Sequence, residues 1–165
     1  MKLFLLRHAH ALPGEVDAIR RLSPKGRRQV RGLSKVAIAE AVAAVRAIEH
    51  SPLVRSLETA QLLQEHFKVR IPLRRIQGIA PEDSAEVTAR QLGKSASLRL
   101  IVGHNPHLSI LVGMLLGLKL GEEGIKFRKA TMVMLERIDR PSPKHPYGKW
   151  RLLGMVTPAD DTAKS

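Results

Sequence analysis

Short apolar runs alternate with helix-start signals along this 165-residue chain, and that alternation limits what it can fold into. Residues 2–6, bounded by a polar loop, read as a buried strand. Ser23-Pro24 then supplies an N-cap and first-turn pair. Val30, Leu33, Ala37, Ala41 and Ala44 recur on one helical face, so a single helix is expected from there to about residue 45. Residues 45–49 read as the next strand. Ser51-Pro52 repeats the start signal for a helix whose apolar face runs through Leu53, Leu57, Ala60 and Leu63 to Phe67. A strand at 71–76, a helix at 84–92 and a β-rich run at 98–102 follow. Asn105-Pro106 then opens a helix carrying Leu108, Leu111, Val112 and Leu115, ended by Gly117 and Gly121. Residues 131–138 and 150–156 read as two last strands joined by the Pro-rich stretch 141–146.

Strands alternating with helices imply an α/β fold, a three-layer α/β/α sandwich around a mostly parallel sheet, with the last two strands as an antiparallel edge. One domain over residues 1–158 and a frayed tail at 159–165 are expected. Aromatic residues make up 3% of the chain, so the core must be built from Leu, Ile, Val and Ala. The chain has no cysteine, which excludes disulfides and thiolate chemistry. No apolar run approaches the about 18 residues of a membrane span, and the first seven residues make no signal peptide, so a cytoplasmic protein is expected.

In sheets of this kind ligands sit beyond the carboxyl ends of the strands. After the first strand come Arg7-His8-Ala9. Ser51-Pro52 follows the second, with Arg55 in the next helical turn, and Gly103-His104-Asn105-Pro106 follows the run at 98–102. Two histidines and two arginines therefore meet on one rim, where helix starts aim positive dipole ends. The natural guest is a phosphate: guanidinium groups grip its oxygens, and an imidazole can attack phosphorus to form a phosphoramidate that water later cleaves.

Three ordered segments carry this reading: Leu6-Arg7-His8-Ala9-His10-Ala11, Ser51-Pro52-Leu53-Val54-Arg55-Ser56-Leu57-Glu58-Thr59-Ala60 and Val102-Gly103-His104-Asn105-Pro106. They resemble the motifs of the histidine phosphatase superfamily, which is phosphoglycerate mutase-like, and in particular the SixA-type phosphohistidine phosphatases. The likeness spans roughly residues 1–138 and includes a short length with a minimal cap. It implies a nucleophilic His8, charge-compensated by Arg7 and Arg55, with His104 donating to the phosphoryl oxygens, and no metal or other cofactor. Ala9 stands where the superfamily's commonest motif has glycine, as SixA-type members often do. Many relatives also carry an acid after the third strand. Glu82 is the favoured candidate here, with Asp83, Glu15 and Asp17 as rivals.

Several residues have plainer readings. Ser51 and Asn105 read as helix caps, and Thr59 as a helix residue one turn beyond Arg55. The pairs His8-x-His10 and His104-x-x-His107 have a metal-binding spacing, but no carboxylate stands within either motif and the arginines would repel a cation. The formal charge of +13 fixes the sign of a partner and little else. Lys25, Arg27, Arg28, Arg31 and Lys35 make a basic helical stripe, read first as a solvated face. The leading expectation is a phosphatase acting on a phosphohistidine protein. The alternatives are a phosphatase of a small phosphate ester or phosphoanhydride and, from another class, a basic nucleic-acid-binding module. One Trp, one Tyr and no recognisable motif speak against the last.

Overall fold

Leu3 and Leu5 point to one face of the first strand and Phe4 and Leu6 to the other, and all four are fully buried. A strand with two apolar faces needs cover on both sides, and the chain supplies it. In the computed structural model, which describes residues 1–119 and 125–159, that strand is β1 (Lys2–Arg7). The sheet also contains β2 (Ile48–His50), β3 (Leu73–Arg75), β4 (Arg99–Gly103), β5 (Met132–Asp139) and β6 (Lys149–Val156). Its strand order is β3-β2-β4-β1-β5-β6. β1 to β4 are mutually parallel, whereas β5 pairs antiparallel with both β1 and β6.

Helices α1 (Pro24–Arg31), α2 (Lys35–Ala44) and α3 (Val54–Phe67) cover one face. Val30, Ile38, Ala41, Ala60 and Leu63 pack there on Phe4, Leu6, Leu100 and Val102. Helices α4 (Ala85–Lys94) and α5 (His107–Leu115) cover the other, where Ala89, Leu92, Leu108 and Leu111 meet Leu3, Leu5, Ile101 and Val133. Trp150 and Phe127 are the aromatic members of that second core, and each fully buried leucine contributes about 2 kcal/mol. The expected three layers and mixed sheet are therefore present. No described helix is long and apolar enough to cross a membrane.

Three local expectations are corrected. The helix read from 24 to about 45 is two helices, because Gly32 closes α1 and the Ser34 hydroxyl accepts from the Ala37 N–H to open α2. The apolar spacing runs through the break because both helices cover the same sheet face, with Leu33 buried between them. The second helix start lies at Val54 rather than Pro52, with Leu53 as its N-cap. Asn105 does not cap α5: Pro106 holds the N-cap position, and the Asn105 amide donates instead to the Phe127 carbonyl at 3.2 Å. Gly117 takes a left-handed φ of 68° just past α5, as a helix stop requires, whereas Gly121 and tail residues 160–165 lie outside the described residues.

Candidate active site

The carboxyl ends of β1, β2 and β4 adjoin in the sheet, so the residues that follow them share one rim. His8 and His104 meet there with ring centroids 4.9 Å apart and planes inclined at 47°. Both rings are buried, at 4% and 0% exposure. The His8 N–H bonds the Gly103 carbonyl at 2.9 Å, which ties β1 to β4 at the level of the site. Its ring Nδ1 lies 2.7 Å from the Ala9 carbonyl. A carbonyl only accepts, so Nδ1 carries the proton and the lone pair sits on Nε2. Burial, then coulombic repulsion from Lys129, His104 and Arg55, push the pKa of His8 down to about 2, so the ring is neutral across the physiological range.

His104 is set by Ser51. The Ser51 oxygen lies 2.5 Å from His104 Nε2 and already accepts from the Leu53 N–H at 3.2 Å. The buried Ser51 hydroxyl has no acceptor other than Nε2 among the described residues, so it donates there, which leaves the hydrogen of a neutral His104 on Nδ1, a buried atom with no partner among the described residues. Burial foremost, with Arg55 nearby, lowers the His104 pKa to about 3. An Nδ1–H of that kind is a donor in search of an acceptor.

Arg55, in the first turn of α3, is 4% exposed and gives Nη1 to the Asp17 carbonyl at 2.9 Å and Nη2 to the Asp17 carboxylate at 3.0 Å. The rest of its motif is equally committed. Ser56 accepts from the Ser51 N–H and donates to the Val102 carbonyl, and Thr59 accepts from the Ala9 N–H and donates to the Arg55 carbonyl. Glu58 accepts from the Leu22 N–H at 2.7 Å and from Arg21. Arg55, Ser56, Glu58 and Thr59 thus make a buried polar face that links three strand ends, beside the expected apolar face, of which Ala60 and Leu63 are buried in the core while Leu53 and Leu57 are only partly covered. Ser51 does not cap α3, whose N-cap Leu53 has no side-chain cap bond; its hydroxyl is held between His104 and the Leu53 N–H, and Thr59 is a tether.

Arg7, at the end of β1, sends Nη1 to the Phe127 carbonyl at 2.5 Å. The four carboxylates named as possible acids are spread apart. Burial raises the Asp17 carboxyl, but hydrogen bonds from Arg55 and Arg20 outweigh it and hold the group ionised. Asp83 accepts from the Ala80 N–H at 2.7 Å within its own turn. Glu82 and Glu15 are exposed and have no hydrogen-bond or ion-pair partner among the described residues. The two histidine pairs with metal-like spacing diverge: His10 Nδ1 lies 2.7 Å from the Ser23 hydroxyl, and His107 Nε2 lies 3.1 Å from that of Thr88.

Lys129 was not legible in the sequence. It sits just before β5, where the Ala130 N–H bonds the His8 carbonyl at 3.3 Å and the Arg7 N–H bonds the Thr131 carbonyl at 3.0 Å. Burial, together with Arg7, Arg55 and Arg20, lowers its ammonium to about 8. No strand-end pattern marks a residue that precedes its strand.

Solved structures share the fold that carries this site. The protein histidine phosphatase SixA complexed with tungstate superposes with a TM-score of 0.75 over 96% of this chain and 97% of that one, at 17% identity. A protein from Agrobacterium tumefaciens bearing the SixA name superposes with a TM-score of 0.71 over 96% and 98%, at 23% identity. The fold is that of the histidine phosphatases. A phosphoserine phosphatase from Entamoeba histolytica shares it, with a TM-score of 0.64 over 97% and 98% at 15% identity. The sequence itself matches no family model and no curated protein. On the histidine phosphatase fold, the neutral His8 lies at the end of a central strand, with cations arriving from both sides.

Proposed function

We propose that this chain is a metal-independent phosphatase that forms a covalent phosphohistidine on His8, acts on a phosphohistidine-bearing protein and works in the cytoplasm. The observation that carries the reading is a neutral imidazole with Nδ1 bound to the Ala9 carbonyl, set beside His104 and among Arg7, Arg55 and Lys129. His8 Nε2 attacks phosphorus and the bond to the leaving group breaks. The Nδ1–H stays on the Ala9 carbonyl and shares the positive charge of the phosphorylated ring. Water then attacks phosphorus and frees neutral His8. Arg7, Arg55 and the His104 Nδ1–H stabilise charge on the phosphoryl oxygens, which is the main catalytic contribution such a loose transition state accepts. A tetrahedral oxyanion such as phosphate or sulfate fits the same donors, in keeping with the tungstate complex of SixA.

A protein substrate is supported by the loop around Asp17, which presents Leu12, Val16 and Ile19 at 44%, 58% and 64% exposure on the segment that holds Arg55. A small phosphate ester is the second reading, supported by the shared fold of a mycobacterial glucosyl-3-phosphoglycerate phosphatase, TM-score 0.61 at 17% identity over 92% of this chain and 96% of that one. Glu82 remains the proposed acid: it is exposed in the loop after β3, and the other three carboxylates include one ionised on Arg55 and one bound to its own turn. Glu82→Gln should spare p-nitrophenyl phosphate and slow phenyl phosphate, whose leaving group needs a proton.

The deciding experiment offers p-nitrophenyl phosphate and a phosphohistidine protein to wild type and His8→Ala in EDTA and traps acid-labile phosphoenzyme. Turnover and labelling by wild type alone uphold the mechanism. Undiminished turnover by His8→Ala removes it, and the ratio of the two rates chooses between the substrates.

A further inference from the structure

Every arginine that faces the pocket has an oxygen partner: Arg7 holds the Phe127 carbonyl, while Arg20 and Arg55 share the Asp17 carboxylate. Lys129 differs. Its half-buried ammonium has no hydrogen-bond or ion-pair partner among the described residues, although it stands among like charges. The titratable and charged groups near enough to share its field are Arg7 at the end of β1, His8 and His10 beyond it, Arg20 and Arg55 from the loop and α3, and His104 just after β4. A cation kept half-buried beside other cations lowers the stability of the empty protein, and an anion in the pocket would reverse that.

The chain places Lys129 with care. β1 lies between β4 and β5, so His104 and Arg55 reach the end of β1 from one side and Lys129 from the other. The backbone bonds from Ala130 to His8 and from Arg7 to Thr131 fix the segment against the nucleophile. Ala130 adopts φ 55°, in the left-handed region that non-glycine residues rarely occupy, directly after Lys129. Strain of that kind is maintained where the surrounding contacts demand one backbone path.

We infer that Lys129 is a further phosphoryl-binding residue, donating from its Nζ to an oxygen of the transferred group on the β5 side, opposite His104 and Arg55. This rests on the proposed phosphatase reading for the identity of the anion. It assigns to the crossover before β5 a part in the site that none of the three sequence motifs contains. In the free enzyme the ammonium loses its proton near pH 8, so phosphate binding should weaken above that pH in wild type. An arginine in its place should carry its charge well beyond.

The test is calorimetric titration of inorganic phosphate into wild type, Lys129→Met, Lys129→Arg, and Arg31→Met as a control for overall charge, with circular dichroism to verify folding. Arg31 is exposed on α1, away from the motifs. A loss of about tenfold or more in Lys129→Met, with affinity kept in Lys129→Arg and Arg31→Met, upholds the inference. The alkaline fall in affinity should also move to higher pH in Lys129→Arg. Wild-type affinity in Lys129→Met, or an equal loss in Arg31→Met, overturns it. Should phosphate binding depend on Lys129 while wild type hydrolyses neither test substrate, the phosphatase reading fails and the role of Lys129 in anion binding stands. Should wild type and Lys129→Met hydrolyse the substrates equally and bind phosphate with equal affinity, the phosphatase reading stands and the role of Lys129 fails.

Discussion

The two sides of β1 build the site by different rules. On the parallel side, each contribution follows the same path: a buried strand ends, a short turn intervenes and a helix begins, so His104 and Arg55 reach the rim in the first residues after β4 and β2. On the antiparallel side β5 runs the opposite way, and the residues that reach the rim are those before the strand, Phe127 to Thr131. The first side supplies groups whose identity the chemistry restricts. The second supplies a carbonyl for Arg7, a backbone anchor for His8 and one ammonium without a partner among the described residues. The proposed nucleophile and most of its proposed partners thus stand on β1 and its parallel neighbours, and Lys129 on the antiparallel side.

That division is broken or sharpened first by His8→Ala, which should abolish turnover and phosphoenzyme labelling together. Arg55→Ala and His104→Ala come next, each expected to lower kcat/KM about a hundredfold or more, the scale of losing one preorganised donor to a transition-state oxyanion. Steady-state kinetics on p-nitrophenyl phosphate checks both. If either loses less than Lys129→Met, the parallel side does not dominate and the contrast collapses.

The same contrast explains what the sequence reveals. Arg7, His8, Arg55 and His104 are legible because parallel α/β topology converts position after a strand into position in space. The three layers follow from apolar runs of strand length separated by helix starts, and the antiparallel edge from a change of pattern after residue 130. What stays hidden is mostly polar and long-range. Glu58 falls on a helix face that an apolar period cannot predict, and its value depends on the Leu22 N–H thirty-six positions away in sequence. Asp17 reads as a loop acid until Arg55 is seen to hold it. The break at Gly32 to Ser34 is masked because both helices keep the same apolar period.

Glu58 sharpens the comparison at the level of stability, since it anchors the α3 motif of the parallel side to the loop before α1. Glu58→Ala leaves the Leu22 N–H without its acceptor and should cost about 2 kcal/mol, or roughly 4–8 °C in Tm. Thermal unfolding measures it. A drop of under 1 °C would mean that this loop is held from elsewhere.

The buried histidines set a pH-dependent effect of comparable size and definite sign. His8 and His104 have folded pKa values near 2 and 3, well below the ordinary value of about 6.5, so the unfolded chain binds protons that the native one refuses. Their neutrality costs nothing above pH 6.5, and stability falls as pH drops from there toward 3. Each contributes a slope of up to about 1.4 kcal/mol per pH unit, and urea unfolding at pH 6.5 and 5 should show it. His104→Asn should reduce the slope by one histidine's share. An unchanged slope would show that the ring titrates normally, and the neutral-donor role drawn from Ser51 would go with it.

The smallest expected effect concerns Asp17. Its main-chain carbonyl holds Arg55 Nη1 and its carboxylate holds Nη2, so Asp17→Asn keeps the carbonyl bond, retains an amide oxygen for the second and removes only the charge. The pocket then becomes more positive, and Arg55 no longer has to exchange a carboxylate for a phosphoryl oxygen when substrate arrives. Phosphate affinity should rise about threefold, with kcat changed by less than that, the magnitude of a partly exposed ion pair. The opposite result carries more weight. A hundredfold fall in kcat, restricted to substrates with poor leaving groups, would make Asp17 the proton donor in place of Glu82. It would also move the acid onto the residue that orients Arg55, joining in one loop two roles that the separate positions of Asp17 and Glu82 keep apart.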